Sequence, residues 1–509
     1  MRRRFRSVLI LCGVTLVCPL AADEISSTQI VELREALDTA LADDPKRPSV
    51  VAAVVLDGVT GQTLYATDNA DAALVPASNL KLLTSAAALD RLGPDAELRT
   101  QLLTVGDDLV VVGFGDPALG DRALAEAAGR TPMSVFDDWA AALRERGIGR
   151  VAGDVVVIDA VFDDQFTHPS WGDTNRRRWY GAPVAGVNFN TNNVDFTFTP
   201  TAPGRPAAIT TVPPRANFVV TGTVTTAGED GRHGPVLDKR LEPVDGQTIY
   251  PVRGTLQRAT GVFSKPVDDP RAFFGHTLRH ALADRGIAVA GGVRVETHAG
   301  LLASPDVTPI ATHATPLTDV LTRVNRNSQN TMAEALAKLN GYMHDRAAGD
   351  ANARGSWASG HAAAVAFLQS IGIDTLTVVA ADGSGLSRNN RISARVLAEL
   401  LHHMLAEHEH GETYVASLAV SGAAGSLRRR LGGELTGRVW AKTGTINGVS
   451  SLSGYIYSPG GVAVFSILHN GRNGRPSFRQ RQDAAVAALA GWLDAQPVQT
   501  PDTRQPTAP

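Results

Sequence analysis

The stretch VPASNLKLLTSAAALDRLG, residues 75–93, places one helix directly after a pair of strands. Apolar residues recur at helical spacing from Leu80 onward, and Gly93 closes the helix. Upstream, PSVVAAVVLD at 48–57 predicts a buried strand, and TLYATD at 63–68 predicts a strand that returns after a turn. This order of strand, turn, strand and helix is the beginning of an α/β unit.

Length and composition define the general class of the protein. The chain has 509 residues, of which 43% are hydrophobic and 19% charged, and its formal net charge is −3. A chain of this length is expected to form about two to four domains, and its apolar content excludes disorder over most of its length. Nucleic-acid-binding proteins normally carry a basic excess that this chain lacks, so we predict no nucleic-acid partner.

The N-terminal segment predicts export. The opening MRRRFR is followed by an apolar stretch of about fifteen residues that ends in small residues, the pattern of a secretory signal peptide. This stretch is shorter than the ~20 residues of a membrane span, so we predict cleavage near Ala22 rather than an anchor. Four arginines and both cysteines, Cys12 and Cys18, would leave with residues 1–22, which gives the mature chain a net charge of −7. We predict a periplasmic or otherwise extracytoplasmic protein without a transmembrane segment.

The middle of the chain differs in amino-acid composition from both ends. It is rich in β-branched residues, glycine and proline, and its short predicted strands are LVVVG (109–113), DVVVID (154–159), DFTFTP (195–200) and NFVVTGTV (217–224). Helical patterns return near residue 305. We therefore predict a mixed α/β (α+β) fold in which one domain, 23–95 and 305–495, is interrupted by a β-rich insertion of two modules at 96–304. The inner module would span about 190–255 and a disordered tail 496–509.

Ser78 and Lys81 form the only Ser-x-x-Lys of the chain, at the start of the helix quoted above. Residues three apart share a helix face, so the Lys81 amine can reach the Ser78 hydroxyl. A serine hydroxyl becomes a strong nucleophile only when a base takes its proton, and a lysine crowded by another cation can be that base. Taken alone, the pair is more simply explained as a serine that caps the helix and a surface lysine.

Lys442-Thr443-Gly444 is the only Lys-Thr-Gly of the chain. It lies within RVWAKTGTI at 438–446, which alternates as a strand does and precedes a turn and another strand. A strand lysine can hold a substrate carboxylate, and Gly444 leaves room for close backbone approach. A lysine that protects an edge strand from aggregation is the simpler alternative.

Ser-x-Asn occurs twice, as Ser328-Gln329-Asn330 and as Ser387-Arg388-Asn389. Each copy lies in a loop before a predicted helix, where serine and asparagine are common capping residues. Local physical chemistry does not distinguish the two copies. The histidine-rich segment 402–410 lacks a His-Glu-x-x-His pattern, so we predict no metal site and no cofactor.

The order of the three motifs points to a known family. Ser-x-x-Lys, Ser-x-Asn and Lys-Thr-Gly, in this order, are the motifs of penicillin-binding proteins and serine β-lactamases. The chain resembles the class C low-molecular-mass penicillin-binding proteins, which are D-Ala-D-Ala carboxypeptidases and endopeptidases. Further stretches that carry the resemblance are ADGSGLSRNNRISARVL (381–397), LAVSGAAGSLRRRL (418–431), GFGDPAL (113–119), GDVVVIDAVF (153–162) and YGAPVAGVNFNTNNVDF (180–196). The segment SGAAGSL (421–427) differs from the motif Gly-x-Asp-Gly-Thr-Leu that is commoner in this family.

The resemblance covers the mature chain except the tail. It implies a serine β-lactamase/DD-peptidase-like catalytic domain with a β-rich insertion, acting on peptidoglycan stem peptides and acylated by β-lactams. Because Ser387 falls inside the family's Asp-Gly-Ser-Gly-Leu-Ser signature, the resemblance selects Ser328 and Asn330 as the catalytic pair. The balance of carboxypeptidase and endopeptidase action, and the presence of a homodimer, stay open.

The resemblance also implies a role for each residue. Ser78 would attack the penultimate D-Ala carbonyl, Lys81 would accept its proton, Ser328 would relay a proton to the leaving amine beside Lys442, and Asn330 would hydrogen-bond the substrate or Lys81. The backbone N–H groups of Ser78 and Thr445 would form the oxyanion hole. The substrate-binding residues would be Thr443, Gly444 and Thr445, with Lys442 also holding the terminal carboxylate.

Asp159 is the predicted contact for the stem peptide's side chain. The resemblance places an aspartate of the insertion in the substrate cleft, and GDVVVIDAVF assigns it to Asp159, with Asp163 and Asp164 close by in sequence. Two other functions remain as alternatives. A serine β-lactamase would need a deacylating base, such as the glutamate of class A enzymes, and a non-catalytic cell-wall binding protein would keep the fold without turnover.

Overall fold

The computed structural model describes residues 27–42, 48–297, 299–471 and 475–498. The predicted signal peptide, and the predicted tail from residue 499 onward, lie outside the described residues. The helices are α1 (Ser27–Leu41), α2 (Leu80–Leu92), α3 (Arg122–Ala127), α4 (Ser134–Glu145), α5 (Asp173–Arg176), α6 (Pro270–Asp284), α7 (Leu317–Asn325), α8 (Asn330–Ala347), α9 (Trp357–Ser370), α10 (Ala394–Ala406), α11 (Gly411–Ala416) and α12 (Arg475–Asp494).

The strands fall into three groups along the chain. The first group is β1 (Ser49–Asp57) and β2 (Thr63–Ala66). The second is β3 (Glu97–Val105), β4 (Asp108–Gly113), β5 (Arg150–Val151), β6 (Val155–Ile158), β7 (Asn193–Thr199), β8 (Ala208–Val212), β9 (Phe218–Gly222), β10 (Thr225–Thr226), β11 (Val236–Leu237), β12 (Thr248–Arg253), β13 (Thr255–Leu256), β14 (Phe263–Pro266), β15 (Ala288–Val289), β16 (Val293–Glu296) and β17 (Val307–Pro316). The third is β18 (Ala419–Val420), β19 (Val439–Ile446), β20 (Val449–Ser458) and β21 (Gly461–Gly471).

A six-stranded antiparallel sheet joins the two ends of the chain. Its order is β18-β19-β20-β21-β1-β2, so β1 from the start of the chain pairs along its whole length with β21 from the end. β19 and β20 form a hairpin in which Lys442 lies opposite Ser453 and Gly444 opposite Ser451. The strand that carries Lys-Thr-Gly is therefore fixed by a continuous ladder of backbone hydrogen bonds.

Apolar cores lie on both faces of this sheet. Val54 and Leu56 of β1 face a core built with α2, α7, α8 and α10, whereas Ala53 and Val55 face α1 and α12. This alternation is the period-two pattern expected of a strand buried on both sides. α2 is buried from Leu80 through Leu89, as an apolar central helix must be, and it ends before Gly93, whose φ of 75° suits glycine.

The middle of the chain builds its own sheets and its own core. The strands of the larger sheet run in the order β16-β6-β4-β3-β17, and a cluster of aromatic side chains on α4, α6 and β7 packs beside it. β17 pairs antiparallel with β3, so this sheet extends to Pro316 rather than ending at residue 304. In a separate three-stranded sheet of order β14-β7-β8, the pairing of β7 with β14 extends the inner strands to Pro266 rather than about 255.

The fold confirms the predicted class, a mixed α/β domain. None of the helices in the described ranges has both the length and the hydropathy needed to cross a bilayer. The insertion contacts the sheet domain beside α8: the Lys338 amine is 2.5 Å from Asp163, and the Trp171 indole donates to Asp382 at 2.9 Å. The segment around residues 163–180 therefore lies against the loop that follows α9.

Candidate active site

Ser78 lies in a tight turn directly before α2. The turn spans Ala77–Asn79, and Ala77 takes a φ of 47°, which is uncommon for a residue with a side chain. Asn79 fixes the turn on β20, because its amide donates to Ser453 at 2.6 Å and accepts from Ser451 at 2.9 Å. Ser78 itself is only partly buried, so its hydroxyl remains accessible to a substrate.

Lys81 joins the first motif to the second. Its side chain is fully buried, and Nζ lies 3.1 Å from Ser78 Oγ, 2.7 Å from Asn330 Oδ1 and 2.7 Å from the carbonyl oxygen of Ser384. Asn330 is oriented by its own amide group, which donates to the carbonyl oxygen of Tyr180 at 2.7 Å. The described residues thus join the first motif, the second motif and the insertion in one hydrogen-bond network.

The surroundings of Lys81 suit a neutral amine. Asn330 Oδ1 and the Ser384 carbonyl can only accept, so they take two N–H bonds and leave the third position of Nζ directed at Ser78. Burial lowers the pKa of Lys81 to about 7, against the opposing charges of Glu334 and Asp382. Burial, and not the neighbouring cation proposed from the sequence, is the main cause of this lowering.

Ser328 and Lys442 form a second serine–lysine pair. Lys442 is fully buried, and its Nζ donates to Ser328 Oγ at 2.9 Å and to the Thr443 carbonyl at 3.0 Å. Ser328 has a φ of 60° in the loop between α7 and α8, a conformation that is rare for serine and costs energy. Burial and the nearby Lys81 both lower the pKa of Lys442 well below its usual value. The pair can donate and accept a proton beside Ser78.

Gly444 lets β19 pass directly beside the Ser78 turn. A Cβ placed on Gly444 would lie 2.1 Å from Ser451 Oγ and 2.9 Å from the backbone nitrogen of Ser78. The hydroxyl groups of the flanking threonines are accessible: Thr443 Oγ1 donates to Ser426 at 2.8 Å, and Thr445 Oγ1 accepts from Arg479 of α12 at 3.3 Å.

The second copy of Ser-x-Asn lies elsewhere. Ser387 Oγ contacts Ser170 at 2.6 Å and its backbone nitrogen donates to Asp382, whereas Asn389 is exposed. The structure places Ser328 and Asn330, rather than this copy, against the two motif lysines. Among the described residues no three His, Cys, Asp or Glu side chains gather as a metal site would require.

Asp159 follows β6 and is fully buried. Its Oδ2 accepts the backbone N–H of Gly186 at 2.9 Å and its Oδ1 that of Phe162 at 3.4 Å, and burial raises its pKa. Of its sequence neighbours, Asp163 pairs with Lys338 and Asp164 with two arginines. The carboxylate of Asp159 is thus engaged within the insertion, and its contact with a substrate stays a prediction.

Two backbone carbonyl groups and one carboxylate of this network were not identified from the sequence. The carbonyls of Ser384 and Tyr180 carry no signal in their residue types, because any residue supplies a carbonyl. Glu334 is fully buried one turn after Asn330 on α8, where the spacing of four residues places both on one helix face. That spacing is the signal that could have identified it.

Comparison with known proteins identifies the family. The chain matches the D-Ala-D-Ala carboxypeptidase 3 (S13) family over residues 33–492. It is 33% identical to a D-alanyl-D-alanine carboxypeptidase of Actinomadura sp. (strain R39), over 94% of this chain and 88% of that protein. The chain therefore belongs to the D-Ala-D-Ala carboxypeptidase 3 (S13) family, which confirms the resemblance drawn from the motifs.

Two solved structures share the fold. The crystal structure of penicillin binding protein 4 (dacB) from Haemophilus influenzae has a TM-score of 0.71 at 23% identity and covers 90% of this chain and 99% of its own. The same protein complexed with a novel β-lactam has a TM-score of 0.66 at 22% identity, with the same shares of both chains covered.

Proposed function

We propose that this protein is a serine D-Ala-D-Ala carboxypeptidase and DD-endopeptidase that cleaves peptidoglycan stem peptides through an acyl-enzyme at Ser78, and that β-lactams acylate the same serine. The single observation that carries the proposal is the fully buried Lys81 amine 3.1 Å from Ser78 Oγ, with its other two positions occupied by acceptors. Family membership and the β-lactam complex of the Haemophilus protein support it.

Acylation begins with proton transfer from Ser78 to Lys81. Neutral Lys81 accepts the hydroxyl proton while Oγ forms a bond to the carbonyl carbon of the penultimate D-Ala. The resulting oxyanion is stabilised by the backbone N–H groups of Ser78 and Thr445, and each such donor contributes roughly 3–4 kcal/mol. The close approach of β19 to the Ser78 turn supports this placement of the oxyanion hole.

Collapse of the tetrahedral intermediate requires a proton for the leaving amine. Ser328 donates its hydroxyl proton to the amine as the C–N bond breaks, and the Lys442 ammonium group, 2.9 Å away, replaces it. The proton that Lys81 accepted then passes to Lys442, which restores the neutral Lys81 amine and the Lys442 ammonium group. Water attacks the ester while Lys81 removes a proton from that water. Lys81 returns this proton to Ser78 Oγ as the ester C–O bond breaks. The enzyme returns to its starting state with one peptide bond hydrolysed.

The end of β19 carries the groups that would bind the terminal carboxylate of the substrate. Lys442 supplies positive charge, and the hydroxyl groups of Thr443 and Thr445 supply donors on the accessible side of the strand. Arg479 donates to Thr445 Oγ1 at 3.3 Å, so a second cation, at the surface, adjoins the same position. A free C-terminal D-Ala carries the carboxylate that these groups would bind.

Export to the periplasm or cell exterior, where the substrate lies, is part of the proposal and depends on the predicted signal peptide at residues 1–22. Membership of the S13 family is consistent with this location. Asp159 is kept as the proposed contact for the stem-peptide side chain, and homodimerisation is left open.

Digestion of purified sacculus fragments tests the proposal. The enzyme is expected to remove one D-Ala from pentapeptide muropeptides and to split cross-linked dimers, which mass spectrometry separates by mass. A Ser78→Ala variant serves as the control. Rapid turnover of nitrocefin without either peptide product would instead indicate a β-lactamase, and binding to sacculi without any product would indicate a non-catalytic protein.

A further inference from the structure

Glu334 is a buried carboxylate that none of the steps above uses. It lies on α8 four residues after Asn330, and none of its surface is accessible to solvent. Burying a carboxylate is costly unless it is hydrogen-bonded or paired with a charge. The hydrogen-bond partners of the Glu334 carboxylate therefore indicate its role.

The carboxylate of Glu334 accepts three N–H groups. Oε1 accepts the backbone N–H of Ser384 at 2.9 Å, and Oε2 accepts that of Gly383 at 2.8 Å and the indole N–H of Trp357 at 2.7 Å. Both oxygens are thus occupied by donors from the loop after α9 and from α9 itself. An oxygen held in this way is poorly placed to remove a proton from Ser78 or from water.

The loop held by Glu334 carries the carbonyl that contacts Lys81. The Ser384 carbonyl accepts from Lys81 Nζ at 2.7 Å, and the N–H of the same peptide group, on Gly385, donates to Asp382 Oδ1 at 2.8 Å. Glu334 fixes the two preceding peptide groups and Asp382 fixes this one. Three consecutive peptide planes are therefore oriented by two buried carboxylates.

The charge of Glu334 acts on Lys81 as well. Its negative charge raises the pKa of Lys81, opposing the effect of burial, while burial and Asp382 raise the pKa of Glu334 itself to about 7. The other charged or titratable groups around this pair are Asp382 of the loop after α9, Lys338 of α8, Lys442 of β19 and, facing Asp382, His168 of the insertion.

We propose that Glu334 is a positioning residue for acyl transfer: it holds the Gly383–Ser384 backbone so that the Ser384 carbonyl directs the Lys81 amine at Ser78, and its charge balances that amine. The inference rests on the proposed acyl-enzyme at Ser78. It assigns to Glu334 no contact with the substrate. The class A β-lactamase glutamate, by contrast, acts on water.

Two variants separate the hydrogen bonds from the charge. Glu334→Gln keeps the length but replaces one accepting oxygen with a donor and removes the charge, whereas Glu334→Asp keeps the charge and shortens the reach. Glu399→Gln, at a half-buried position on α10, is the matched control. The measurement is the second-order rate constant of acylation by a fluorescent penicillin as a function of pH, together with the Tm of each protein.

Both Glu334 variants are expected to acylate about tenfold or more slowly, because charge-assisted hydrogen bonds to the loop are lost. Glu334→Gln should in addition move the acid limb of the pH profile to lower pH by about one unit, because an opposite charge beside Lys81 is removed. Glu334→Asp should leave the limb in place. Glu399→Gln should match the wild type in both rate and profile.

Other results would overturn the inference. Wild-type rates and profiles in both folded variants would show that Glu334 does not act on Lys81, and so would equal rate losses without any shift for Glu334→Gln. Failure of both variants to fold would make Glu334 a residue of folding stability instead. Absence of acylation in the wild type and in Glu399→Gln would contradict the proposed function itself, which is a different failure.

Discussion

Lys81 Nζ donates to Asn330 Oδ1 at 2.7 Å across 249 residues of sequence. This bond joins the helix that begins beside Ser78 to the helix that follows the inserted sheets. The fold therefore completes the site only when the two parts of the sheet domain have come together around the insertion. Replacing Asn330 with aspartate tests the bond with a minimal change of shape.

We expect Asn330→Asp to slow acylation at pH 7 by about tenfold or more, because a carboxylate beside Lys81 raises the pKa of its amine and keeps it protonated. The acid limb of the pH profile should move to higher pH, opposite in direction to Glu334→Gln. The rate constant of benzylpenicillin acylation across the pH range measures both effects. The exposed Asn352→Asp is the control, and an unshifted limb in Asn330→Asp would refute the role given to the bond.

The wild-type enzyme should show an acid limb close to neutrality. Lys81 must be neutral to accept a proton, and its pKa is lowered to about 7, so it is competent above that pH and protonated below it. Acylation should fall about tenfold per pH unit below pH 7 and level off above it. A rate constant that stays flat from about pH 5 to pH 8 would be inconsistent with Lys81 as the base.

Gly444→Ala should abolish most acylation. A Cβ at this position would meet Ser451 Oγ and the backbone nitrogen of Ser78, so β19 must move away from the nucleophile. The expected loss is about a hundredfold or more in rate, the size of losing an oxyanion donor. Gly491→Ala on α12, where a Cβ meets no atom within 4 Å, should keep full activity. Equal activity of both variants would argue against close approach of β19.

Arg479→Gln should weaken the reaction only for substrates with a free C-terminal carboxylate. The guanidinium adjoins Thr445, so we expect kcat/KM to fall about tenfold for such a peptide and little for its C-terminal amide. Arg438→Gln is the control, because Arg438 pairs with Asp494 at the other end of β19 and α12. An equal loss for both peptides would contradict carboxylate recognition by Arg479.

The sequence predicted most of the sheet domain because its signals are local. Buried strands such as 48–57 and the helix closed by Gly93 follow from hydropathy and turn residues, and both were confirmed. The pairing of β17 with β3 joins residues about 200 apart in the sequence, so no local pattern of hydropathy or turn residues predicts it.

Within the site, the motif residues could be identified because serine, lysine and asparagine side chains can act as nucleophile, base and hydrogen-bond partner. The contacts that orient them could not, since the carbonyls of Ser384 and Tyr180 depend on loop geometry rather than on residue type. The sequence also suggests a neighbouring cation as the cause of the lowered pKa of Lys81, whereas burial is the main cause in the structure. Burial depends on packing around α2, which a single sequence does not show.

Mass spectrometry of the penicillin adduct tests the central claim most directly. Wild-type protein treated with benzylpenicillin should gain the mass of one inhibitor molecule, and peptide mapping should place it on Ser78. Ser78→Ala, with a Tm close to that of the wild type, should gain nothing. An adduct that persists in Ser78→Ala, or that maps to Ser328 or Ser387, would contradict Ser78 as the nucleophile.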